Sequence, residues 1–140
     1  MTHLNRLMGV LILALVVAAA GCGGSFSYKI KGTPRAPDAD AVFAGEVLKD
    51  QAMTKVSIKA EHLTPPDRVQ SGTGYYVVWA RKDSSAGWIR IGGVAYNPKK
   101  RTGVFEGSVP ESTFELQVTA EPSLTPAVPS GNATLQYKIK

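Results

Sequence analysis

The chain is poor in the groups that carry out chemistry. It has one cysteine in 140 residues, so it can form no internal disulfide and no paired-cysteine metal or redox motif. Its two histidines are His3 and His62. Metal sites usually collect several His, Cys, Asp or Glu ligands, so a histidine-based metal centre is excluded. What remains is an oxygen-ligand calcium site, with Asp38 and Asp40 as weak candidates. The calcium-loop pattern is absent, and both aspartates read better as part of a solvated turn. His62 would serve as a general base only beside a nucleophile and an orienting carboxylate; it reads as a surface residue at a strand end. There is no Gly-x-Ser-x-Gly nucleophile elbow. Gly72-Thr-Gly74 and Gly92-Gly93 lack the lysine-serine ending and the strand-to-helix setting of a phosphate cradle. Helical periodicity is also missing: beyond residue 22 no stretch keeps it for more than two turns.

What is present is concentrated first at the N-terminus. Arg6 is followed by Leu7–Ala20, a run without charge, and then by Gly21-Cys22. A basic start, a short apolar centre and small residues form the layout of a secretory signal. A permanent membrane span needs about 20 apolar residues, more than this run supplies. Ala19-Ala20-Gly21-Cys22 resembles the lipobox of bacterial lipoproteins. That resemblance implies cleavage between Gly21 and Cys22, a diacylglyceryl group on the Cys22 thiol, and acylation (palmitate or a similar chain) of the new amine. Several acyl chains hold a protein stably where one does not. Gly23, not aspartate, follows the cysteine, which by the same resemblance implies the outer membrane in a cell that has one. The layout alone also admits ordinary cleavage near Ala20 or an uncleaved anchor. The expected organisation is a signal peptide at 1–21, a lipidated tether and N-terminal segment at 22–40, and a folded domain at 41–140. The expected location is extracytoplasmic, lipid-anchored to an envelope membrane.

Removing residues 1–21 leaves 140 − 21 = 119 residues, one ordinary domain. With Arg6 removed and no acid in the signal, 15 Lys+Arg stand against 11 Asp+Glu, a net charge of +4. The basic residues are scattered apart from Lys99-Lys100-Arg101. A mild positive balance favours acidic surfaces such as headgroups or anionic polysaccharide. Nucleic acid is not an expected partner beyond the cytoplasmic membrane, and no cofactor is indicated.

The rest of the chain is strand-like. Period-two alternation marks Phe26–Lys31, Ala41–Lys49, Thr54–His62, Thr113–Glu121 and Ala133–Lys140. In the fourth of these, Phe114, Leu116, Val118 and Ala120 point inward, and Glu115, Gln117, Thr119 and Glu121 outward. Tyr75–Arg81 is rich in tyrosine, valine and tryptophan with apolar residues on both faces, as a central strand requires. Trp88–Tyr96 reads as one returning strand in which Gly92-Gly93 suggests a bulge or a close backbone approach. Arg101–Val109 follows. Pro34 and Pro37, Pro65-Pro66, and the proline-rich 122–131 mark loops. Residues 22–40 read either as a strand and stiff loop or as one disordered stalk. Seven or eight short antiparallel strands argue for an all-β, immunoglobulin-like sandwich, with a small barrel as the alternative.

Tyr28-Lys-Ile-Lys31 recurs as Tyr137-Lys-Ile-Lys140. Both are read as edge strands whose outer lysines discourage edge-to-edge pairing. Among the aromatics, the even spacing of Trp88 and Tyr96 permits a shared solvent face, a candidate stacking platform for sugar rings. The plainer reading is that most rings fill the core. Lys99-Lys100-Arg101 would meet anionic headgroups or form a solvated hairpin tip.

Gly74-Tyr-Tyr-Val-Val-Trp79, and Leu116-Gln-Val-Thr-Ala-Glu121-Pro122 with Pro129-Ser-Gly131, together resemble the C-terminal extracytoplasmic domain of anti-sigma-K factors. The resemblance covers about residues 45–139. It implies a small β-sandwich and no catalytic residues. Such regulators carry a cytoplasmic helical segment and a membrane span ahead of this domain; here a signal stands in that place. The expected function is a non-enzymatic binding or structural module that touches an envelope protein or cell-wall polymer. The alternative is a sensory accessory related to anti-sigma regulation.

Overall fold

In the computed structural model, residues 23–140 are described; the expected signal at 1–21 and Cys22 lie outside the described residues. The described chain forms strands β1 (Ser25–Lys31), β2 (Asp40–Leu48), β3 (Met53–Glu61), β4 (Tyr75–Arg81), β5 (Ile89–Gly93), β6 (Ala95–Asn97), β7 (Thr102–Val109), β8 (Phe114–Glu121) and β9 (Ala133–Ile139). A five-stranded sheet in the order β1-β2-β3-β7-β6 packs on a four-stranded sheet in the order β5-β4-β8-β9. Every pairing is antiparallel. The protein is an all-β sandwich.

Alternation drives the packing. Ile30, Phe43, Val56, Ile58, Phe105 and Val109 of the larger sheet meet Tyr76, Val78, Phe114, Leu116, Val118, Leu135 and Ile139 of the smaller in one buried cluster. The four inward residues expected on β8 are all buried. β1 and β9 are edge strands, one in each sheet. Their repeated tyrosines, Tyr28 and Tyr137, face each other across the gap with ring centroids 4.6 Å apart.

Four findings depart from the sequence reading. β1 pairs with β2 from Ser25 to Lys31, so the sandwich starts at 25 and not at 41, and residues 25–40 are not a stalk. The following loop is also fixed, with Ala36 and Ala39 buried. A single helical turn, α1 (Pro66–Val69), sits in the loop after β3, with proline in its first turn, where its missing N–H is no loss. The stretch Trp88–Tyr96 is two strands in two sheets: the chain crosses at Val94, whose N–H donates to the Tyr76 carbonyl at 2.8 Å. Val78 faces Gly92 while Trp79 faces Arg90, leaving Ile91 as a bulge. Gly92 has no room for a side chain, since a Cβ there would lie 2.9 Å from the Phe105 ring.

The last departure concerns β8. Gln117, Thr119 and Glu121, expected outward, are buried, as is Trp79 beside them on β4. The 122–132 segment folds back over this face. Arg90 Nη1 donates to the Pro126 carbonyl at 2.9 Å, and Gln70 Nε2 donates to the Ser130 carbonyl at 3.3 Å. Leu124 packs where a Gly93 side chain would otherwise sit.

Candidate functional site

The register of the smaller sheet aligns a row of side chains on its outer face near one end. Arg81 on β4 lies opposite Glu115 on β8, and Glu115 lies opposite Lys138 on β9. Arg81 Nε donates to Glu115 Oε2 at 2.5 Å, and Lys138 Nζ stands 3.8 Å from Glu115 Oε1. Glu115 is thereby held between two cations, with its side chain only 15% exposed. Trp88, just before β5, lays its ring against this row, with the Arg81 guanidinium carbon 4.3 Å from the ring centroid. A cation over an aromatic face is attractive and fixes the ring's orientation.

These groups border an open groove of about 460 Å³, lined by Arg81, Trp88, Glu115, Leu116, Gln136, Tyr137 and Lys138. It offers an aromatic plate, an amide, one carboxylate and two cations. Arg81 and Lys138 against Glu115 leave a net charge of +1 in the row. That set suits a hydroxyl-rich ligand bearing negative charge. It pairs no nucleophile with a base.

Trp88 thus lies in a groove, but Tyr96 does not join it. Tyr96 is on β6 in the other sheet. Its ring meets Tyr76 edge-on at 5.6 Å, while Trp88 stacks at Arg81. Tyr76 and Arg81 are at opposite ends of β4, about 16 Å apart at the rise of an extended strand. The shared platform is therefore not formed. The sheet change at Val94 and the bulge at Ile91 break the parity on which it depended. Tyr96 instead belongs to the loop packing: its hydroxyl donates to the Leu63 carbonyl at 3.4 Å, and burial raises its pKa above the ordinary tyrosine value.

The other candidates have structural roles. Arg101 Nε donates to the Leu63 carbonyl at 3.0 Å and Nη2 to the His62 carbonyl at 3.1 Å. Asn97 Oδ1 accepts from the N–H groups of Lys99 and Lys100 at 3.0 Å each, so the basic triplet closes a hairpin turn. His62 is exposed, with Nδ1 3.7 Å from Asp40 Oδ2. Asp40 also pairs with Lys31, and that hydrogen bond holds its carboxyl below the usual range. Asp38 is exposed, and among the described residues no three His, Cys, Asp or Glu side chains converge as metal ligands.

The most elaborate polar arrangement is a buried one that alternation missed. Trp79 Nε1 donates to Thr119 Oγ1 at 2.8 Å. Thr119 Oγ1 donates to Glu121 Oε1 at 2.6 Å. Ser130 donates its N–H to Glu121 Oε1 at 2.9 Å and its hydroxyl to Glu121 Oε2. Glu121 is wholly buried, yet its two carboxyl oxygens accept from three donors, as buried polar atoms require. The network locks the 122–132 segment onto the sheet. Its members come from Gly74–Trp79, Leu116–Pro122 and Pro129–Gly131.

Comparison with known proteins found no matching family model, no similar curated protein and no similar solved structure.

Proposed function

We propose that this chain is a non-enzymatic envelope lipoprotein, held to a membrane through lipid on Cys22, whose sandwich binds an anionic, hydroxyl-rich cell-wall polymer. The observation that carries the binding reading is the groove beside Trp88, where a fixed ring adjoins Glu115, Gln136, Arg81 and Lys138. A sugar ring lies flat on such an aromatic plate while its hydroxyls and acid groups meet the polar rim. The signal layout at Arg6–Cys22 supports the anchor. Among the described residues no helix is long and apolar enough to cross a membrane.

Retention on purified, insoluble cell-wall polymer tests the reading. Trp88→Ala is expected to weaken binding roughly tenfold, equivalent to about 1.4 kcal/mol, and Lys138→Ala by less. Unchanged retention in Trp88→Ala overturns it. The residues of the anti-sigma-like motifs that meet in this fold are Trp79, Thr119, Glu121 and Ser130, which form the buried network. A transmembrane regulator recovered as the main crosslinked partner, with polymer absent, would establish the sensory alternative instead.

A further inference from the structure

The folded body begins at once after Cys22. Gly23 lies so near the Val47 backbone that a Cβ on it would fall 1.9 Å from the Val47 oxygen. Gly24 accepts the Val47 N–H at 2.9 Å, and Ser25 is already in register with Glu46. Cys22 is therefore two residues from the first backbone hydrogen bond of the sheet. Two residues reach at most about 7 Å, against about 30 Å for the length of a nine-residue strand such as β3.

The end of the sandwich that carries Gly24 is defined by the register. Leu48 pairs with Met53, Thr54 with Val109, Arg81 with Glu115 and Phe114 with Ile139. The turn Lys49–Gln51, the loop 82–88 and the link 110–113 all lie at this end. Lys49 and Lys82 are exposed there. Ile89 is 58% exposed and borders a hollow of about 340 Å³ lined by Ala80, Ile91, Val109 and Pro110 among others. Exposed Ile89 beside the long stem of Lys82 suits a headgroup boundary, where the stem follows the apolar surface and the ammonium stays wet; Asp50, Asp83 and Glu111 share this end. The Asn97–Arg101 tip is at the opposite end.

Resting on the lipid anchor proposed above, we infer that the sandwich stands on the bilayer on its Gly24 end, with Ile89, Lys49 and Lys82 at headgroup level and the Lys99-Lys100 tip directed away. The occupant of this surface is the lipid layer that holds the anchor; the Trp88 groove, on the outer face of the smaller sheet at this same end, opens sideways beside the bilayer, so the polymer is met at the membrane surface. A tether this short keeps the opposite end out of reach of the membrane.

Acylation of the single natural cysteine leaves an introduced thiol as the only one free to label. Full-length chains carrying Ser112→Cys, Gln51→Cys or Lys99→Cys are processed in a bacterial host, labelled with a fluorophore and reconstituted in phosphatidylcholine–phosphatidylglycerol vesicles containing brominated chains. Quenching at positions 112 and 51 at least threefold stronger than at 99 is expected. A ten-residue Gly-Ser spacer inserted after Cys22 should even out the three positions. Equal quenching without the spacer, or stronger quenching at 99, overturns the orientation. Mass analysis of the N-terminal peptide separates the two claims. An unmodified Cys22 overturns the anchor and the orientation together, whereas an acylated protein with the wrong quenching pattern overturns the orientation alone.

Discussion

Replacing Glu121 by alanine is the sharpest test of how the smaller sheet is held. The substitution removes the acceptor for three donors at once. Thr119 is fully buried, so its stranded hydroxyl costs about 1–3 kcal/mol. Ser130 is near the surface and regains water when the segment lifts, so its two lost bonds contribute about 1 kcal/mol together. The missing methylene of glutamate adds about 0.8 kcal/mol. The expected loss is about 4 kcal/mol, within the total stability of roughly 6–18 kcal/mol that a domain of this size commands. In urea, with a slope of about 2 kcal/mol per molar, the midpoint should fall by about 2 M. Fluorescence of Trp79 in a Trp88→Phe background reports the transition from within the network. Glu121→Gln, which keeps the shape and one acceptor oxygen, should lose less than half as much. A midpoint shift under about 0.5 M for Glu121→Ala, with an unchanged slope, would refute the claim that this carboxylate secures the 122–132 segment.

Two further outcomes follow from single residues. Tyr76 is fully buried and donates its hydroxyl to the Thr64 carbonyl; burial raises its pKa well above the ordinary tyrosine value of 10.0. The folded state therefore keeps a proton that the unfolded chain releases, so the stabilisation is complete below about pH 10 and is lost as pH rises beyond it, at about 1.4 kcal/mol per pH unit. Urea titrations from pH 8 to 11 should show this decline, and Tyr76→Phe should make it shallower, leaving the share contributed by Tyr96. Ala52 adopts a left-handed conformation, φ 47° and ψ 45°, at the end of the turn after β2. Ala52→Gly relieves about 1 kcal/mol of that strain, and thermal unfolding should shift upward by about 4 °C.

Alternation made most of the fold legible, because each strand with one face on the core writes its burial pattern into the sequence. β4 spans the residues its composition marked, Tyr75–Arg81, and the inner face of β8 is the one expected. Where a second layer covers the outer face, alternation misleads: Thr119 and Glu121 look solvent-directed until the 122–132 segment closes over them. The division of Trp88–Tyr96 was hidden for another reason. A chain that crosses between sheets at Val94 needs no turn residue, so nothing local announces the change. Gly92 and Gly93 pair regularly with β4 and are approached closely by the Phe105 ring and the Leu124 side chain, while the bulge falls one residue earlier, at Ile91. α1 is too short to show a period. The groove was half visible: Trp88 was singled out, but Arg81, Glu115 and Lys138 come from three strands, and only the register puts them side by side.

The crossing at Val94 also bears on how the molecule comes apart. One continuous run of backbone, from Ile89 to Asn97, is stitched first into one layer and then into the other. The two layers cannot slide past each other without tearing both seams. Heating should therefore release all the amide protons of β4 and β7 in a single event, with no stage at which one half of the protein melts and the other stands.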